Sequence, residues 1–259
     1  MLFKSLITKI TIVLLSAITI WALAAAVEKT MSDKSSSIII NIKGDKEGQA
    51  MITEDDLRVI LDRDFNDLMV GQKLSEVDLA KVEQRLSQEA YLSRVNVFMD
   101  AKNRLTVEAV PRIAHMRVLH QDGRSYFIDN DGFMFPVSRH FTPRVHVVTG
   151  LVPVYTKPLF EQEEHSLLKD LHELVSFIKE DEFLDALFEE IHVTLNKEIE
   201  LIPKVGKHRI MYGTHSGVEM ADRFENLKIF YQEGLPYEGW NKYSSINIEF
   251  KDQVVCSVR

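Results

Sequence analysis

Ile52-Thr53-Glu54-Asp55-Asp56-Leu57 and Leu74-Ser75-Glu76-Val77-Asp78-Leu79 share one grammar. In each, a hydroxyl residue precedes an acidic residue by three positions, the spacing of a capping box, and an apolar pair brackets the cap as a hydrophobic staple. Thr53 and Ser75 are therefore the predicted N-caps, answered by Asp56 and Asp78, with Ile52 stapled to Leu57 and Leu74 to Leu79. Leu57, Ile60 and Leu61 then keep helical spacing on one face, as do Leu79, Val82, Leu86 and Ala90. Upstream, Ile38-Ile39-Ile40-Asn41-Ile42 is a β-branched run ended by Lys43-Gly44. Downstream the period falls from 3.6 to 2. Val95, Val97 and Met99 alternate with Asn96 and Phe98, a polar turn spans 100–103, and Leu105, Val107 and Ala109 alternate again. Pro111 ends this run, because it cannot donate to a ladder. The order is β-α-α-β-β.

Before this unit, residues 10–27 carry no charge, a stretch close to the minimum that spans a hydrocarbon core as a helix. Lys4 and Lys9 precede it, so the positive-inside bias puts a tail of residues 1–9 in the cytoplasm and the bulk of the chain outside. Ile10, Leu14, Ile18 and Trp21 are the expected transmembrane residues, with Trp21 toward the outer interface. The small-residue run Ala22-Leu23-Ala24-Ala25-Ala26 also fits a signal-peptidase site, so anchor and cleaved signal both stand as readings. Residues 28–37 read as a polar linker, 36–112 as the first domain and 113–259 as a second, β-rich one.

The second domain is built of short apolar runs between turns. Gln121-Asp122-Gly123 and Asp129-Asn130-Asp131-Gly132 each separate two such runs, a hairpin signal because the turn needs positive φ. Leu167, Leu168, Leu171, Leu174, Val175 and Ile178 form a helical stripe, and Asp181 is the predicted cap of a shorter helix. A last helix is expected from about Glu219 to Tyr231, with Gly234 as its stop. Two strands, 244–250 and 253–258, close the chain.

The β-α-α-β-β unit resembles a POTRA domain. Tyr126-Phe127-Ile128-Asp129-Asn130-Asp131-Gly132-Phe133-Met134-Phe135-Pro136 is similar to the signature of FtsQ/DivIB-type cell-division proteins, as are Val145 to Gly150, Glu200 to Ile210, Phe224 to Tyr231 and Gly239 to Ile248. With the strand-Gly-"IT-x-x-D-L" opening at 38–57 and the N-terminal apolar run, the resemblance covers essentially the whole chain. It implies an α+β protein of the inner membrane, single-pass and mostly periplasmic, that assembles division proteins at the septum. It further implies that the C-terminal strand edge receives a segment of an FtsB-type partner, itself paired with an FtsL-type subunit. Phe250 lies where the family's aromatic contact falls. Val254-Val255-Cys256 stands where some members carry a Gly-Trp pair.

The residues alone point the same way more weakly. Residues 244–258 alternate without proline, so an edge strand there could accept another chain's backbone; equally, they could simply close the core. On the edge reading, the expected contact residues are Ile246, Ile248, Phe250, Val254 and Val255.

Composition narrows other functions. The 259 residues carry a net charge of −8 and are 45% hydrophobic. That balance argues against nucleic-acid binding, which needs a basic face. One cysteine, Cys256, leaves no disulfide framework or cysteine-based zinc cluster. Nine histidines include His165 and His172 on one predicted helix and His140 and His146 around Pro143, but none makes a metalloprotease pattern. Asp129 and Asp131 lack the spacing of a calcium loop, and Ser216 lacks the glycine of a nucleophile elbow. The expectation is a non-enzymatic protein with no cofactor, metal, nucleic acid or small-molecule substrate. The competing class is a secretion or outer-membrane assembly factor, which would bring POTRA repeats and a membrane barrel that the sequence does not display.

Overall fold

A computed structural model describes residues 14–23, 35–44, 50–65, 71, 73, 77–155, 166–214 and 220–259. The chain divides into two compact units, Met1–Pro111 and Arg112–Arg259.

Residues 14–23 form a helix, α1, whose side chains, including Leu14, Ile18 and Trp21, are exposed. Among the described residues no helix is long and apolar enough to cross a membrane. Both ends of the expected span, Ile10 among them, lie outside the described residues.

The first unit then runs β1 (Ser37–Ile42), α2 (Glu54–Phe65), α3 (Leu79–Leu86), β2 (Leu92–Met99) and β3 (Arg104–Pro111). The first capping box forms reciprocally. The Thr53 amide donates to Asp56 Oδ2 at 2.9 Å and the Asp56 amide to Thr53 Oγ1 at 3.3 Å. Ile52 and Leu57 are both buried, as a staple requires. The second helix starts later than its grammar indicates. Asp78 is itself the N-cap, accepting the Lys81 amide on Oδ1 at 3.0 Å. Aspartate caps as well as serine does, and here it directly precedes the first apolar position, Leu79. Leu74 and Ser75 lie outside the described residues. At the far end Ser87 bonds back to the Glu83 carbonyl through both its amide and its hydroxyl, so the helix closes before Ala90.

β3 is central, parallel to β1 and antiparallel to β2. Leu57, Leu61, Val82 and Leu86 of the helices meet Leu105, Val107 and Ala109 of β3 in one core. Each of these leucines and valines contributes on the order of 1.5–3 kcal/mol by leaving water.

The second unit is a mixed sheet of nine strands: β4 (Ala114–Leu119), β5 (Ser125–Asp129), β6 (Met134–Pro136), β7 (His146–Gly150), β8 (Phe188–Val193), β9 (Ile199–Pro203), β10 (Arg209–Gly213), β11 (Tyr243–Asn247) and β12 (Val255–Val258). Their order is β12-β11-β10-β9-β8-β7-β4-β5-β6. The helices are α4 (Ser166–Glu180), α5 (Glu182–Leu187), α6 (Met220–Ile229) and α7 (Leu235–Glu238). Leu168, Leu171, Leu174, Val175 and Ile178 of α4 are wholly buried in the large core. Asp181 caps α5 by accepting the Leu184 amide.

Two features depart from the sequence reading. Gly234 does not stop the last helix. The chain continues from α6 through a π-helical turn, Phe230–Gly234, into α7, and ends at Gly239, whose φ of 97° a Cβ would oppose. The closing strands are also shorter than expected. The Glu249 amide donates to Asn247 Oδ1, and this local turn takes the chain out of β11 before Phe250.

Candidate partner-binding edge

β12 is the last strand of the larger sheet, antiparallel to β11, with Asn247 opposite Val255, Ile246 opposite Cys256 and Ser245 opposite Ser257. Two hydrogen bonds fix which way its backbone points. The Arg259 amide donates to Lys242 O, toward β11. Antiparallel strands alternate their hydrogen-bonding direction residue by residue, so Val255 and Ser257 also address β11. The Ile248 amide donates to Met211 O of β10, so Ile246 addresses β10, and Asn247 and Ser245 address β12, in agreement. The N–H and C=O groups of Cys256 and the N–H of Val258 therefore point away from the sheet, while Ser244 Oγ of β11 donates at 3.5 Å to the Val258 carbonyl. No described strand lies beyond them.

Three things hold this edge in place. Arg259 donates from Nη2 to Lys207 O at 2.6 Å and from Nε to Tyr243 O at 3.3 Å, clamping the end of β12 across β11. Behind β11, the buried His208 bonds Tyr231 Oη at 2.5 Å, and Tyr231 meets Trp240 edge-on. Burial holds His208 below the usual histidine range and pushes the Tyr231 phenol up, so this pair stays neutral. The Cys256 thiol, facing inward opposite Ile246, is likewise pushed up by burial and packs against the core.

The structure separates the five expected contact residues. Ile246 and Ile248 are 0% and 1% exposed and belong to the core, so their side chains cannot meet a partner. The alternation that made them candidates is the signature of the inward face. Phe250 is 45% exposed, but it stands in the turn rather than on a strand. Val254 is half-buried against the core and Val255 is 44% exposed. Val258, at 65% exposure, and Arg259 were not among the expected residues. The alternation 254–258 could have flagged Val258, but nothing local marks Arg259 as a clamp.

Beside the turn into β12 lies a groove of about 350 Å³. Its wall is Ile229, Phe230, Glu233 and Gly234 from α6 and the π-helical turn, and its opposite rim is Asp252 and Val254. Asp252 sits at a φ of 59°, a left-handed conformation that aspartate tolerates.

The histidines are engaged elsewhere. His115 and His172 lie ring to ring at 4.4 Å, with Ser176 Oγ 3.1 Å and Lys179 Nζ 3.4 Å from His115. Burial first, and the Lys179 charge second, hold His115 down to about 4. His146 bonds Asp185 at 2.8 Å. Asp129 accepts the Asp131 and Phe133 amides on Oδ1 and the Arg112 guanidinium on Oδ2, which makes it a turn residue and ion-pair partner. Among the described residues no three His, Cys, Asp or Glu side chains are placed to hold a metal. His165 and Ser216 lie outside the described residues.

Residues 114–257 match the family model "FtsQ/DivIB, C-terminal related", which spans more than half of the chain. The chain belongs to the FtsQ/DivIB-related family. Residues 33–110 match the model of a POTRA-like domain, so β1 to β3 with α2 and α3 form the POTRA-like part of this FtsQ/DivIB-type protein. The family is one of cell division, and membership implies protein–protein interactions in that process. No curated protein matches the sequence.

Proposed function

We propose that this FtsQ/DivIB-type chain is a non-enzymatic, single-pass inner-membrane protein, anchored through residues 10–27 with its bulk in the periplasm. It docks other division proteins at the septum, and an FtsB-type segment, carried with its FtsL-type companion, adds as a strand to β12. The observation that carries this reading is the outward-facing N–H and C=O groups of Cys256 and N–H of Val258 on a clamped strand with no described neighbour. Main-chain bonds would supply much of the affinity and adjacent side chains the specificity.

Depleting the protein while following membrane-stained cells tests the division role: smooth filaments without septa are expected, and normal division would overturn it. The edge is tested by Val258→Pro. Proline is tolerated in an edge strand where its missing N–H faced solvent, so the domain should fold while the added ladder loses a donor. Undiminished binding of a purified FtsB/FtsL-type complex by the folded variant would sink the strand-addition mechanism.

A further inference from the structure

The groove beside β12 has its own chemistry. Ile229 is 47% exposed, a large aliphatic side chain left in solvent at the end of α6. Phe230 and Val254 supply apolar surface on either side, each packed on the core from behind. Glu233 and Asp252 stand exposed on opposite rims, and no described cation pairs with either. The lining itself contains no lysine or arginine. The wall is shaped by a π-helical turn, a rare element that recurs at functional sites, and Gly234 within it lies so close to the Phe230 ring that an added Cβ would fall 2.7 Å from it. Glycine there lets the ring lie back and keeps the groove open.

We propose that this groove is a second anchor point for the strand-donating partner: it takes an apolar side chain that adjoins the added strand, followed or preceded by a lysine or arginine held between Glu233 and Asp252. The inference rests on the strand-addition reading. Its occupant is argued from continuity and charge. Gln253 and Val254 lead directly from the groove into β12, so a segment lying along the edge must pass the groove when it runs beyond Val255. An apolar floor between two carboxylates favours an apolar side chain beside a cation and disfavours an acidic one.

The test uses the full-length chain in nanodiscs and a purified FtsB/FtsL-type complex as probe. Ile229→Asp places a charge over the floor, and the pair Glu233→Lys with Asp252→Lys reverses the rim. Both alter exposed positions, and circular dichroism checks the fold. Each should weaken binding roughly tenfold or more, the loss expected of a desolvated anchor. Binding by the parent should also weaken with added salt more steeply than binding by the reversed variant. Val258→Pro separates the two ideas. If it abolishes binding while the groove variants bind as the parent does, the groove proposal is overturned and the edge stands. If Val258→Pro leaves binding intact, the edge reading itself fails. Tighter binding on charge reversal would overturn the basic partner residue.

Discussion

The two sheets end in edges of opposite design. In the POTRA-like unit the Val97 amide faces away from β3, and Glu83 reaches from α3 to accept it on Oε2 at 2.9 Å. A charged acceptor from the protein's own helix occupies the position that an incoming strand would need. In the larger sheet one edge, β6, is three residues long and ends in Pro136, two standard ways of blunting an edge. The other, β12, is also short at four residues but carries no proline. A folded protein leaves a proline-free edge unpaired only at some risk of aggregation, and under the strand-addition proposal β12 is the edge left open for a partner.

Four substitutions or conditions can break or sharpen this contrast. Val258→Pro should close β12 and lower affinity for the FtsB/FtsL-type complex about a hundredfold or more, measured by titration calorimetry, with little change in melting temperature. Ile246→Ala, on the strand behind the edge, should do the reverse. It should cost about 2–4 kcal/mol of stability in urea unfolding, yet the folded protein should bind with parental affinity, because Ile246 packs the core and meets no partner.

Acid should separate the two units. All nine histidines lie in the larger one. His115 is held down to about 4, below the ordinary value of 6.5, so folded protein binds fewer protons than unfolded protein between those values. Its contribution is complete above about pH 6.5 and is lost as pH falls toward 4, on the order of 3 kcal/mol in all. Urea titrations at stepped pH should show the larger unit weakening over that range, and His115→Phe should flatten the slope. The smallest effect is expected from Glu83→Ala, which should open β2 at a cost of about 1 kcal/mol. Concentration-dependent association in the ultracentrifuge should appear in this variant and not in Glu83→Gln, which keeps an acceptor.

Much of this was legible in the residues. Thr53 and Asp56 announced α2, and the change of period at Val95 announced the strands, because capping and patterning are local. The start of α3 is ambiguous in sequence because Ser75 and Asp78 both satisfy the rule for a cap, and only packing of Leu79 and Val82 decides between them. Gly234 was misread because a glycine can end a helix or merely admit a neighbouring ring, and the Phe230 contact makes the difference. At the candidate site, alternation located the closing strands but could not say which face would be covered. That depends on which sheet face joins the core shared with Phe224 and Leu227 of α6, a long-range fact. Glu83 could not be read at all, since its role exists only once α3 lies beside β2.

The alternating backbone of β12 has a consequence for how this sequence can drift. On the strand-addition proposal, what the edge offers outward is peptide N–H at Cys256 and Val258 and C=O at Cys256, and every residue but proline possesses both groups. Selection acting through those groups is nearly blind to side-chain identity. Substitutions at Val255 or Ser257 can thus leave the same row of donors and acceptors in place, while inward positions such as Ile246 have no such latitude.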